Sequence, residues 1–173
     1  MRAIRLISPS LLLALLLGFT AAAVHSPVHA ADRVIYPPIS HANADIAAAI
    51  KAATATHKRI ILDFGGDWCG DCQVLDLYVH DATNSPIVAA NFIVVHINVG
   101  HIDANFDIAE KYRIPLKKGV PALAVLSEGG KLLFAQQAGQ FEKMSSMQSS
   151  SLTEFLMKWK PIKPGCSVVM ANC

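Results

Sequence analysis

Two cysteines lie three positions apart in the motif DWCGDC, at Cys69 and Cys72. Such a pair can carry out thiol–disulfide exchange, supply half of a metal site or form a structural staple. The motif follows the apolar run at 60–64 and two glycines, which predicts a buried strand that leads directly into a helix. Cys69 would then lie at the helix N-terminus, where the dipole and unpaired backbone N–H groups favour a thiolate. This position suits attack by Cys69 on a substrate disulfide, after which Cys72, one turn along, would displace the mixed disulfide.

The other candidate ligands give a metal site little support. Zinc sites of the ribbon or knuckle type need a second cysteine pair, and Cys166 and Cys173 do not have that spacing. His80, His96 and His101 are scattered over a predicted helix, strand and loop. The pattern therefore favours redox use, with a metal site and a buried structural pair as the alternatives.

The first thirty residues have the layout of a secretory signal peptide. Arg2 and Arg5 precede the uncharged apolar stretch at 6–19, and small residues lead to VHA at 28–30. We expect cleavage after Ala30 and a periplasmic or secreted mature protein. The alternative is an uncleaved anchor, for which the apolar run is short. We expect no integral membrane segment after cleavage, because no later stretch has the required length and hydropathy.

Length and composition predict one compact domain, since 173 residues with 53% apolar content can fill one core. Without the leader, 13 basic residues balance 13 acidic ones, and no basic patch indicates a nucleic acid partner. All four cysteines lie in the exported part, where disulfides persist. Cys166 and Cys173 are therefore predicted to form a structural disulfide, with a redox relay to the first pair as the alternative.

Helical and strand patterns alternate along the rest of the chain. The final helix has a candidate capping box at Ser151 and Glu154 after a serine-rich loop at 145–151. Helices are predicted at 40–58, at 72–79, from about 85, at 105–112 and from 151, and strands at 59–64, 92–99, 120–126 and 131–136. This order predicts an α/β fold with a mixed central β-sheet flanked by helices.

Two motifs together resemble the thioredoxin family: DFGGDWCGDC at 63–72 and GVPAL at 119–123. The resemblance covers about 44–159 and implies a thioredoxin fold. We therefore divide the chain into a signal peptide at 1–30, an N-terminal extension at 31–43, a thioredoxin-like domain at 44–160 and a tail at 161–173. The stretch from Cys72 to Tyr78 with DATNSP at 81–86 is also similar to the C-terminal domain of the bacterial membrane disulfide reductase.

The resemblance implies roles for two residues outside the cysteine pair. Pro121 corresponds to the family's cis-proline, which would place the backbone of Val120 opposite the sulfurs to pair with an extended substrate. Asp63 corresponds to the buried acid that relays the proton of Cys72. The residues alone leave open a trans proline at a strand start and a solvated acid at a strand end.

Three residues of the cysteine motif would form the substrate contact surface, namely Trp68, Gly70 and Asp71. Trp68 alone could equally be a core aromatic. The family's reductase prototype has proline where this chain has Asp71, and it has no counterpart of PLKK at 115–118. The negative charge of Asp71 should disfavour the Cys69 thiolate and give the pair reducing character.

The sequence thus predicts an exported disulfide reductase that needs no metal or organic cofactor. Its partners would be protein dithiols or disulfides and a membrane electron donor that recharges it. The alternatives are a disulfide-forming oxidase, a chaperone-like binding module that does not use its cysteines, and a metal-handling protein.

Overall fold

The computed structural model describes residues 33–162. The predicted leader, Cys166 and Cys173 lie outside the described residues, so cleavage after Ala30 and the tail disulfide stay predictions. Five α-helices and four β-strands are present in the described range. In chain order they are α1 (Ala42–Thr56), β1 (Arg59–Gly65), α2 (Gly70–Val79), α3 (Asn84–Asn91), β2 (Phe92–Asn98), α4 (Phe106–Lys111), β3 (Ala122–Leu126), β4 (Leu132–Ala135) and α5 (Ser149–Trp159).

The strands form one mixed sheet in the order β2-β1-β3-β4. β1 pairs in parallel with β2 and antiparallel with β3, and β3 and β4 form the antiparallel hairpin predicted around Glu128. The predicted α/β fold is confirmed. β1 is a central strand, and every residue of it after Arg59 is buried. Both of its faces are apolar except at Asp63.

Helices cover both faces of the sheet. On one face, alanines of α1 allow close packing of that helix against Ile60, Leu62 and Phe64. On the other face, Leu75 of α2 and the apolar stripe of α5 pack on the residues of β1 and β3 that point the opposite way. None of the helices within 33–162 has the length and hydropathy that crossing a bilayer requires.

The prediction for the start of the last helix is wrong. α5 begins at Ser149, its N-cap is Gln148, and no side chain caps it. The Ser149 hydroxyl instead bonds to Asp81 and to the side-chain amide of Asn84 at the start of α3. Ser151 therefore lies inside the helix, and the predicted serine-rich loop is in part the 3-10 helix Met144–Ser146.

The insertion that distinguishes this chain from the reductase prototype has a regular conformation. Leu116–Lys118 forms a 3-10 helix directly before the proline loop. Leu116 is buried, whereas both lysines are exposed. Gly119 follows with φ of 114°, which a residue with a side chain rarely adopts.

Candidate active site

Cys69 is the N-cap residue of α2 and has an extended backbone. Its Sγ accepts a hydrogen bond from the backbone N–H of Cys72 at 3.2 Å. The hydrogen bond from the Cys72 thiol contributes most to lowering the pKa of Cys69, and this backbone N–H adds to it. Burial and the charge of Asp71 oppose the shift without cancelling it. Cys69 is thus the thiol of the pair that ionises more readily.

Cys72 is more deeply buried than Cys69 and ionises less readily. Its side chain is 0% exposed, whereas that of Cys69 is 7% exposed. The pKa of Cys72 is raised far above the usual range, first because its thiol hydrogen-bonds to Cys69, then because of burial and the charge of Asp63. Both cysteines are free thiols in the structure. The pair therefore consists of an ionisable outer sulfur and a protonated inner one.

The proline loop lies against the outer sulfur. The Val120–Pro121 peptide bond is cis, as the resemblance implied. The carbonyl oxygen of Val120 lies 3.6 Å from Sγ of Cys69. Buried Gln136 holds the loop, since its side chain donates to the carbonyl of Pro121 at 3.3 Å and accepts from the N–H of Leu123 at 3.2 Å. Sequence reasoning missed this role of Gln136. The only indication was an amide side chain next to a buried strand.

Trp68 is a surface residue beside the cysteines. Its side chain is 47% exposed, so the alternative of a core aromatic is wrong. Its indole N–H donates to the carbonyl of Gly100 at 2.5 Å, and its ring stacks on His101 at a centroid distance of 5.3 Å. Because the indole ring of Trp68 is exposed, held in place and close to Cys69, it is suited to contact a substrate chain.

Gly70 and Asp71 form the first turn of α2. No heavy atom lies within 4 Å of the place where a side chain of Gly70 would begin, so this side of Cys69 is open. The Asp71 carboxylate accepts the backbone N–H of Ser145 at 2.7 Å. The cysteine motif is thereby joined to the segment that precedes α5.

Asp63 lies in β1 with 2% of its surface exposed, so it is neither solvated nor a turn cap. Its Oδ2 accepts the Tyr36 hydroxyl at 2.7 Å and lies 2.9 Å from Nδ1 of His96. Its Oδ1 has no hydrogen-bond partner within the described residues. The carboxylate acts on Cys72 through its charge, which fits the implied proton relay.

Besides Gln136, sequence reasoning missed the roles of three residues around Asp63: Tyr36, His96 and Asp67. Tyr36 comes from the predicted N-terminal extension, yet it belongs to the buried core. Asp67, within the cysteine motif, accepts the backbone N–H groups of Ile35 and Tyr36 at 2.8 and 3.1 Å. The only sequence signal for Tyr36 was that it is an aromatic residue in a short stretch without a helix or strand pattern.

The histidines have separate surroundings. His96 faces Asp63, His101 stacks on Trp68, and His80 lies 3.1 Å from a carboxylate oxygen of Asp76. Across residues 33–162, no group of three or more His, Cys, Asp or Glu side chains is placed to hold a metal ion.

Comparison with known proteins places this geometry in a family. Residues 41–127, half of the chain, match the family described as Thioredoxin-like. The disulphide isomerase from Xylella fastidiosa Temecula1 is 30% identical and superimposes with a TM-score of 0.68, covering 73% of this chain and 96% of that structure. A Thioredoxin H-type protein from Fagopyrum esculentum is 32% identical over 72 residues, or 42% of this chain and 54% of the relative. The chain thus spans about half the length of that curated relative. The chain belongs to the thioredoxin-like family of thiol–disulfide oxidoreductases.

Proposed function

We propose that the protein is an exported, periplasmic disulfide reductase with a Cys69–Cys72 dithiol centre. The supporting observation is the asymmetry of the two sulfurs, one at a helix N-terminus with a lowered pKa and one buried and protonated. The Cys69 thiolate attacks a disulfide of a protein substrate and forms a mixed disulfide. Cys72 then attacks Cys69, which releases the reduced substrate and leaves a Cys69–Cys72 disulfide.

Substrate binding uses the surface around Cys69. We expect an extended substrate chain to pair with the backbone of Val120, whose carbonyl lies beside the Cys69 sulfur. The exposed ring of Trp68 supplies an apolar surface, and Gly70 leaves the approach open. This chemistry uses no metal or organic cofactor. Because the periplasm is oxidising, each turnover requires a membrane electron donor that returns the pair to the dithiol.

Two opposing effects on the Cys69 thiolate bear on the direction of electron flow. Asp71 destabilises the thiolate and so favours a reducing pair, which is the basis of the proposal. The net lowering of the Cys69 pKa favours the second candidate, a disulfide-forming or disulfide-isomerising enzyme, as does the likeness to the disulphide isomerase.

Trapping of the mixed disulfide tests the dithiol chemistry. The background protein carries Cys166→Ser and Cys173→Ser so that a single couple reacts. With a disulfide-bonded test protein, Cys72→Ser should accumulate a mixed disulfide through Cys69, visible on a non-reducing gel. Cys69→Ser, the matched control, should form none.

Cellular assays separate the remaining alternatives. The double variant Cys69→Ser and Cys72→Ser should lose activity in the cell, whereas full retention would favour the chaperone-like module. Fractionation should recover the mature protein, with its N-terminus at Ala31, in the periplasm. Recovery of the full-length chain in the membrane would contradict export with cleavage.

A further inference from the structure

We propose that Tyr36 is a catalytic residue of the resolving step, carrying the proton of the Cys72 thiol to Asp63, and that His96 positions this carboxylate at the outlet of the path. The inference rests on the proposed dithiol function. It extends the site to a segment that precedes the first helix.

The hydroxyl of Tyr36 lies close to both groups that must exchange a proton. It donates to Oδ2 of Asp63 at 2.7 Å, and it lies beside the Cys72 sulfur, since both border the space next to Gly65. The absence of a side chain at Gly65 allows the hydroxyl and the thiol to lie near each other, since an added Cβ there would lie under 3.0 Å from both the hydroxyl oxygen and Sγ of Cys72. A hydroxyl can donate one hydrogen bond and accept another, so it can pass on a proton without a net change of charge.

The environment of Tyr36 keeps its hydroxyl protonated between transfers. Burial, and then the negative charge of Asp63, raise the pKa of Tyr36 far above its usual range. A tyrosinate is thus never a stable state here. Tyr36 can only exchange one proton for another.

The position of Tyr36 is fixed from the cysteine motif itself. The Asp67 carboxylate accepts two successive backbone N–H groups, those of Ile35 and Tyr36. The Gln73 side chain in α2 donates to the carbonyl of Arg33 at 3.2 Å. Residues on both sides of Cys69 therefore hold the segment that carries Tyr36 in place. A proton relay requires such a fixed geometry.

His96 lies between Asp63 and solvent. The parallel register pairs these two residues directly across β1 and β2, and Nδ1 of His96 is 2.9 Å from Oδ2 of Asp63. The side chain of His96 is 21% exposed and lines a cavity of about 310 Å³. The charged and titratable groups around it come from the N-terminal segment, α1, β1, the active-site turn, α2 and the residue that caps the end of α2: Arg33, Tyr36, Asp45, Asp63, Asp67, Asp76 and His80.

The charge state of His96 controls the carboxylate. Burial alone would lower the pKa of His96, but the hydrogen bond and charge of Asp63, with the charges of Asp76 and Asp67, outweigh it and raise the pKa. When protonated, His96 neutralises the charge of Asp63 and makes it a weaker base. Resolution should therefore become faster as the pH rises through the His96 pKa.

The resolving step couples two proton transfers to one thiol–disulfide exchange. In the mixed disulfide, the S–H proton of Cys72 moves to the Tyr36 oxygen while the Tyr36 hydroxyl proton moves to Asp63. The Cys72 sulfur attacks Sγ of Cys69, the Cys69–Cys72 bond forms, and the bond from Cys69 to the substrate sulfur breaks. The substrate leaves as a thiolate, which takes a proton from solvent, and Asp63 later loses its proton past His96. The two cysteines are oxidised by two electrons and the substrate disulfide is reduced by two.

A single-turnover reaction with an aromatic disulfide that releases a coloured thiolate separates the two steps. Attack by Cys69 releases the first thiolate, and attack by Cys72 releases the second. In the background without tail cysteines, Tyr36→Phe should leave the first phase within about twofold and slow the second by about 10-fold or more. The first phase shows in the same trace that the site is folded.

The matched control is Tyr78→Phe, because that hydroxyl bonds the carbonyl of Met147 outside the site. It should change neither phase. His96→Gln should remove the rise of the second phase with pH and leave the first phase intact. An unchanged second phase in Tyr36→Phe, or equal slowing of both phases, would overturn the relay. A wild-type protein without a first phase would instead overturn the dithiol chemistry, and the relay with it.

Discussion

The carboxylate of Asp71 accepts the backbone N–H of Ser145 at 2.7 Å. This hydrogen bond joins the first turn of α2 to the segment before α5, across a separation of 74 residues. It holds a negative charge beside Cys69, where that charge raises the pKa of the thiol while the backbone N–H of Asp71 lowers it. The side chain of Asp71 is thus the part of the site that disfavours the thiolate.

Replacing Asp71 by asparagine should lower the pKa of Cys69 and make the reduction potential of the pair less negative. Loss of the charge stabilises the thiolate, and a more stable reduced form makes the disulfide a stronger oxidant. Equilibration with glutathione measures the potential. Asp107→Asn, an exposed acid at the start of α4, is the control. A potential that stays fixed or becomes more negative would show that the argument from charge is wrong.

The reactivity of Cys69 should depend on pH through its contact with Cys72. Alkylation of Cys69 should show an inflection below 9.0, the ordinary thiol value. Cys72→Ala should move that inflection upward, because the thiol hydrogen bond that contributes most to the shift is removed. Mass spectrometry of the alkylated peptide gives the rate at each pH. An inflection that does not move in the variant would exclude this hydrogen bond as the main cause.

Gly65→Ala should destabilise the protein by about 1–3 kcal/mol, because the added carbon meets the Tyr36 hydroxyl and the Cys72 sulfur in a close-packed region. Urea unfolding measures the change. Gly70→Ala is the matched control, since its site is open and alanine is the better helix former. Equal stability of the Gly65 variant and the wild type would mean that these side chains do not converge on β1.

Asp81 should stabilise the fold in a manner that depends on pH. Its pKa is lowered, first by the hydrogen bond from Ser149 and then by the backbone N–H of Asn84. Because the pKa of Asp81 is lower in the folded state, this carboxylate stabilises the fold at pH values above its unfolded-state pKa of about 3.9. The stabilisation is lost as the pH falls through the folded-state pKa. The stability difference between wild type and Asp81→Asn should therefore shrink on acidification below pH 4. A difference that is constant from pH 7 to pH 3 would contradict this linkage.

Local patterns were sufficient to predict most of the architecture and the cysteine centre. β1 was recognisable as a central strand because nearly all of its residues are apolar. The cysteines were predicted at a helix start because they follow the two glycines that end this strand. The last helix shows the limit of such patterns. Ser151 and Glu154 match a capping box, but the hydrogen bonds of Ser149 to α3 extend the helix past it.

The proton path could not be predicted, since it depends on contacts between distant segments. His96 reaches Asp63 only because β1 and β2 pair in one particular register, and local periodicity does not define that register. Tyr36 lies in an irregular segment whose position is set by the Asp67 carboxylate. The sequence pattern placed this segment outside the domain, although its tyrosine lies beside the resolving thiol.

The reduction potential of the Cys69–Cys72 pair tests the proposed reductase most directly. It should be measured in the mature protein with Cys166 and Cys173 replaced by serine, so that one couple reports. For a reductase we expect a value near the thioredoxin level of about −270 mV. A value near −120 mV, the level of strong periplasmic oxidants, would contradict it and identify the protein as a disulfide-forming enzyme.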